Sequence, residues 1–273
     1  MSRSRPGRIR ARVHARVTGW WRRRVLVRSV EVPVLASRRL TVLAAHPDDE
    51  TLGCGALIAR SRRAGLPVRV IVATDGRHST ASAVLSPERL AALRSVELRA
   101  ACLRLGVPEG EVVELGFPDG ALSVEGGALV DRLTEQLADQ PPDVLLVPCA
   151  RDVHPDHEEL HRAAVRVALR LDPRPTVLAY PIWSWAWPGS GTGVRDRLPR
   201  LGWTARQLAG TRWLRVPAGE HLAGKRAALD RYASQTRNLT GEAGWSALPA
   251  EVCELFLQPA ELFLPVRLGP SRR

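Results

Sequence analysis

The chain contains no uninterrupted apolar run approaching the roughly 18 residues that a bilayer-spanning helix needs, so the sequence offers no membrane span. Its four cysteines (Cys54, Cys102, Cys149 and Cys253) stand far apart, with no C-x-x-C pair. That removes a disulfide framework and a thiolate zinc site, and leaves buried free thiols in a reducing cytoplasm as the expectation. A secretory leader has no clean apolar stretch to use, because the run from Val25 to Ala36 is broken by Arg28 and Glu31. Gly53-Cys54-Gly55 lacks the third glycine of a dinucleotide fingerprint and points to close helix–strand packing instead. What is present is ordinary for an enzyme-sized globular protein of 273 residues: 45% apolar and 25% charged, which excludes wholesale disorder.

A net charge of +12 suggests nucleic acid until it is located. The first 40 residues hold twelve arginines against one acid, Glu31, which leaves about +1 for the other 233. The body therefore has no electrostatic case for binding nucleic acid. Residues 1–38 read as a basic, flexible N-terminal arm. It is either solvated or, with Trp20 and Trp21 among the arginines, in peripheral contact with anionic lipid. Residues 39–273 read as one domain.

From Leu40 onward short apolar runs alternate with amphipathic helical patterns. Strands are expected at Leu40–Ala45, Val68–Thr74, Val112–Leu115, Asp143–Val147, Thr176–Tyr180, Thr211–Val216 and Leu262–Val266. Helices are expected over Thr51–Ala64, Pro87–Leu105 (capped by Ser86), Gly127–Ala138, His157–Leu171 and Glu220–Ala233. Such alternation implies βαβ crossovers and a Rossmann-like α/β fold, with a mainly parallel sheet covered by helices on both faces. A Trp-rich insertion near 181–211 interrupts the rhythm. Its Trp183-Ser184-Trp185-Ala186-Trp187 fits either a mobile loop whose indoles stack on a sugar or a strand with one aromatic face.

Two clusters carry the chemistry. His46-Pro47-Asp48-Asp49-Glu50 follows the first strand, and His154-Pro155-Asp156-His157 follows the strand at 143–147. Ligands of open parallel sheets bind at the carboxyl ends of strands, which is where both clusters fall. Acids suit the start of a helix, which explains Asp48–Glu50 without function but leaves His46 and Pro47 unexplained. Crowded carboxylates repel one another, and a divalent cation would remove that cost. Two such clusters at equivalent strand ends can converge on one ion.

The two motifs, with Thr74-Asp75-Gly76, Arg94-x-x-Glu97, Phe117-Pro118-Asp119-Gly120, Lys225 and Ser234-Gln235 in the same order, resemble the PIG-L/LmbE-like zinc-dependent N-deacetylases. The resemblance spans about Leu40 to Gln235. It implies that His46, Asp49 and His157 hold Zn2+ or another divalent metal, with the fourth position left to water. It further implies Asp48 as general base, and His154, oriented by Asp156, as oxyanion donor or acid to the leaving amine. Arg94 and Asp119 would contact a small N-acetylated sugar conjugate of the N-acetylglucosaminyl type, in the cytoplasm. An amidase for a longer acyl group, and a binding module with a purely structural metal, are the alternatives. His157-Glu158-Glu159-Leu160-His161 also fits H-E-x-x-H, a protease reading that leaves the His46 cluster without a task.

Overall fold

The computed structural model describes residues 22–32, 38–152, 154–186 and 212–269. Their strands are β1 (Val30–Glu31), β2 (Leu40–Ala44), β3 (Val68–Thr74), β4 (Val112–Phe117), β5 (Val144–Pro148), β6 (Thr176–Tyr180), β7 (Leu214–Pro217) and β8 (Ala260–Pro265). They form one sheet in the order β1-β7-β8-β6-β5-β2-β3-β4. From β6 to β4 every neighbouring pair is parallel, while β8 runs antiparallel to β6 and β7. All five residues of β2 and of β5 are buried, as expected for central strands covered on both faces. Removing Val42, Leu43, Leu145 and Leu146 from water contributes about 1.5–3 kcal/mol each.

The covering helices are α1 (22–28), α2 (Asp49–Arg63), α3 (Pro87–Arg104), α4 (Gly126–Asp139), α5 (Pro155–Ala168), α6 (Trp183–Ala186), α7 (His221–Leu229), α8 (Ala233–Thr236) and α9 (Ala250–Phe256). Ser86 caps α3 by accepting from the Arg89 N–H at 3.3 Å, with Pro87 in the first turn. From β2 the chain moves outward to β3 and β4, then returns to the opposite flank of β2 as β5. The strand order thus reverses between β2 and β5, and at such a point the loops above the two strands part to leave a crevice. Both histidine clusters follow these two strands.

Several expectations are corrected. Part of the supposed flexible arm belongs to the body: β1 pairs with β7, and Val25 of α1 is buried in the core. The lipid contact expected of the arm falls on residues 1–21, outside the described residues. The helix expected over Glu220–Ala233 is two, α7 and α8, with a turn at Asp230–Tyr232 between them. Trp183–Ala186 is a helical turn rather than a strand: the Trp185 N–H donates to the Ile182 carbonyl (3.1 Å), and the Trp185 indole N–H donates to the Leu255 carbonyl (3.0 Å). Trp187 and the rest of the insertion up to 211 lie outside the described residues. No helix among the described residues is long and apolar enough to cross a membrane.

Candidate metal centre

The turn after β2 is built from long-range bonds. The amide and hydroxyl of Thr74, at the end of β3, both donate to the Ala45 carbonyl (2.9 and 2.8 Å) and hold the chain just before His46. Asp48, the N-cap of α2, has φ 118°, a left-handed conformation unusual for a residue with a Cβ. Strain of this kind costs on the order of 1–3 kcal/mol and persists where the surroundings over-determine it. Here Glu50 accepts the Asp48 amide N–H (3.0 Å) and is itself fixed by the Thr51 and Tyr232 hydroxyls. The buried Arg94 guanidinium clamps the other side, reaching the Pro47 and Gly76 carbonyls and the Asp48 carboxylate at 3.4 Å. A Cβ on Gly76 would lie 2.2 Å from the Arg94 Nη1, which explains glycine there.

In the second cluster His154 is the N-cap of α5, its Nδ1 accepting from the Asp156 N–H at 3.3 Å. One helical turn places His157 against the first cluster, fully buried. Three donor atoms then form a triangle. His46 Nδ1 to Asp49 Oδ2 is 3.5 Å, Asp49 Oδ2 to His157 Nε2 is 3.2 Å, and His157 Nε2 to His46 Nδ1 is 3.3 Å. Metal–ligand bonds of about 2.0–2.1 Å in a tetrahedron put ligands about 3.3 Å apart, so the triangle fits a zinc-sized ion with one open position. His46, His154 and His157, or His46, Asp119, His154 and Asp156, also bring donor atoms within 4.8 Å of one another. The first triangle is preferred because all three edges match, and because His46 then uses one nitrogen for the ion and the other for a carboxylate.

The electrostatics agree. Burial opposes protonation of His157, yet Asp49 and Asp152 together push it up to about 9. Surplus negative charge thus draws a proton onto a buried imidazole, and a divalent cation answers the same field. Burial pushes the Asp48 carboxyl up to about 8, Arg94 opposing and Asp49 and Glu50 adding to the effect. Burial, with His46 and His157 beside it, lowers His154 to about 4 and keeps that ring neutral at pH 7.

These groups lie on a cavity of about 550 Å³. Asp48, Asp49, His46, His154, Arg94 and Asp119 line one part of it. Ile182, Trp183, Leu248, Val252 and Phe256 supply an apolar part.

With the geometry in place, comparison with known proteins decides the family. Residues 41–168 match the family described as PIG-L: GlcNAc-PI de-N-acetylase. A probable N-acetyl-alpha-D-glucosaminyl L-malate deacetylase 2 of Bacillus cereus is 30% identical over 152 residues, covering 53% of this chain and 68% of that one. The chain belongs to the PIG-L family. A 1D-myo-inositol 2-acetamido-2-deoxy-alpha-D-glucopyranoside deacetylase of Streptomyces avermitilis is 34% identical over 164 residues, 51% of this chain and 56% of that enzyme. The chain therefore spans just over half the length of the second relative and two thirds of the first. Among solved structures, a deacetylase triple mutant of the teicoplanin biosynthetic pathway shares the fold at a TM-score of 0.61 and 19% identity, over 85% of this chain and 99% of that one. The N,N'-diacetylchitobiose deacetylase of Pyrococcus horikoshii does so at 0.57 and 20%, over 87% and 86%.

Within this PIG-L domain one expected pairing differs. Asp156 Oδ2 lies 3.2 Å from His46 Nε2 but 3.9 Å from His154 Nδ1, so it orients His46 rather than His154. Its carboxylate also accepts the Gly120 and Leu122 N–H groups (2.7 and 3.2 Å), which swings Asp119 to 3.1 Å from the same His46 Nε2. Arg94, expected to contact substrate, reaches the cavity, with its guanidinium on the Pro47 and Gly76 carbonyls and Asp48; Glu97 of the same motif accepts from the Ser234 N–H and hydroxyl. Glu158 of the H-E-x-x-H pentapeptide pairs with Arg162, and His161 Nδ1 sits 2.8 Å from the Pro148 carbonyl. Neither Glu158 nor His161 lines the cavity, and with the family shown the protease reading falls. Asp152 and Glu50 were not singled out by sequence reasoning. Glu50 stood inside a quoted motif, whereas Asp152 carried only its nearness to His154.

Proposed function

We propose that the protein is a metal-dependent N-deacetylase that releases acetate from an N-acetylated amino-sugar conjugate of the N-acetylglucosaminyl type. The observation that carries the reading is the triangle of His46, Asp49 and His157 at a cavity that also exposes Asp48 and His154. The relatives' names support the substrate class, since they specify deacetylation of 2-acetamido-glucopyranosyl and N-acetylglucosaminyl compounds. A divalent ion bound by the three residues supplies Lewis acidity, which activates water and polarises the amide carbonyl. Two imidazoles and one carboxylate suit zinc and also accept other divalent ions.

The remaining work falls to the chain's own groups. Asp48 takes the proton of the attacking water, and Arg94, 3.4 Å away, favours the charged form of the Asp48 carboxylate, as a cation held by the three residues would also do. His154 is neutral and accepts at Nδ1, so its proton sits on Nε2, ready to donate to the developing oxyanion. A ring lowered to about 4 carries no second proton to give at pH 7, and the proton for the departing amine returns from Asp48. The apolar part of the cavity at Leu248, Val252 and Phe256 favours a conjugate with an apolar portion, or an acyl group longer than acetyl, as a second reading. Buried thiols accord with a reducing compartment such as the cytoplasm.

The test measures metal content and acetate release from N-acetylglucosaminyl substrates, with and without chelator. His46→Ala is expected to lose both metal and activity, and His161→Ala to keep both. Full metal occupancy with no hydrolysis of any acylated amine would sink the reading.

A further inference from the structure

The carboxylate of Asp152 lies behind the metal triangle and links two parts of the molecule. Its Oδ2 is 2.9 Å from His157 Nδ1 and accepts the Ile182 N–H at 3.0 Å, while Oδ1 accepts the Ser184 N–H at 2.7 Å. The Asp152 and His157 side chains are both fully buried. Ile182 and Trp183 line the cavity, so one carboxylate joins a metal-facing imidazole to the wall a substrate would touch.

We propose that Asp152 is a positioning residue: it holds the His157 proton on Nδ1 and so presents Nε2 as a bare lone pair to the ion. Carboxylates that hydrogen-bond the far nitrogen of a metal-binding histidine fix its tautomer and raise its basicity, and removing them costs about 10–100-fold in metal affinity. The backbone of the wall holds the carboxylate in turn. Three donors converge on its two oxygens, which leaves it no freedom to turn away from His157. The proposal rests on the metal reading of His157 and is independent of which amide is cleaved.

Asp152→Asn tests it with little change in volume. The amide has one oxygen for three donors: turned to His157 and Ile182 it sets its NH2 against the Ser184 N–H, and turned to Ser184 it sets its NH2 against the Ile182 N–H and leaves His157 to carry its proton on Nε2. In both arrangements the negative charge behind His157 is gone. The expected result is Co2+ or Zn2+ affinity, read by competition with a chromophoric chelator, lowered about 10-fold or more. At a pH where the metal-free imidazole carries a single proton, histidine 15N shifts should report Nδ1–H at His157 in the wild type and Nε2–H, facing Asp49, in Asp152→Ala. Asp152→Ala is expected to weaken the metal similarly. Asp152→Glu, if it reaches His157, should restore Nδ1–H together with part of the affinity.

Wild-type affinity in both Asp152→Asn and Asp152→Ala overturns the proposal, as does an unchanged Nδ1–H tautomer in an Asp152→Ala protein that has lost the metal. A wild-type protein that binds neither ion sinks the metal reading itself, and the inference with it. That failure is seen before any variant is made.

Discussion

Lys225 is the chain's single lysine, and it is buried. Its Nζ donates to the Leu52 carbonyl and to Glu261 Oε1, both at 2.7 Å. Glu261 in turn accepts the Ala56 and Leu57 N–H groups of α2 at 2.8 Å each. An ion pair, with side chains 1% and 3% exposed, is thus bonded into the backbone of the helix that begins with Asp49. Lys225→Met keeps most of the volume and removes the charge, leaving a buried carboxylate without its counter-ion. Breaking such a pair from one side costs about 3–5 kcal/mol, a large share of the roughly 5–15 kcal/mol that holds a domain folded. In a domain of this size that is a fall in Tm of about 6–20 °C. Urea unfolding should show the loss as a lower midpoint at unchanged slope. Adding Glu261→Gln to Lys225→Met should recover part of the loss, because the uncompensated charge goes while one oxygen remains to accept from α2. A single-variant loss below about 1 kcal/mol, or a double variant less stable than the single, would refute the reasoning.

Three further outcomes can be measured. Gly53→Ala would place its Cβ 2.3 Å from the Tyr180 ring, so overpacking should destabilise the protein by about 1–3 kcal/mol, seen in the same urea melts. Arg94→Lys cannot span the Pro47 carbonyl, the Gly76 carbonyl and Asp48 at once; kcat should fall at least about 10-fold while metal content, read by atomic emission, stays near wild type. Burial pushes the thiols of Cys54 and Cys102 well up and that of Cys149 up to about 12. The thiolate is therefore scarce between pH 7 and 9, and Ellman's reagent should find these three only after unfolding; rapid native labelling of Cys149 would contradict its burial.

Strand and helix positions were legible along the chain because period and capping are local properties. The run at 40–45, the strand at 68–74 and the Ser86-Pro87 start of α3 each write their structure within a few residues. The two His-Pro-Asp motifs could be read for the same reason, each being one contiguous turn at the end of a strand. Partnership between side chains distant in sequence is another matter. Asp156 serves His46, 110 residues away, rather than its neighbour His154, because the 120–122 loop draws its carboxylate that way. Asp152 meets Ile182 and Ser184 only once β5 and β6 lie side by side, and β1 exists only because β7 offers it an edge. Sequence by itself therefore determined the strand-and-helix order from β2 to β6 and which residues could carry the chemistry. Tertiary structure decided which nitrogen of His46 and of His157 turns towards Asp49 and which carboxylate stands behind each ring, since hydrogen-bond direction is set by atoms that only folding brings within about 3 Å.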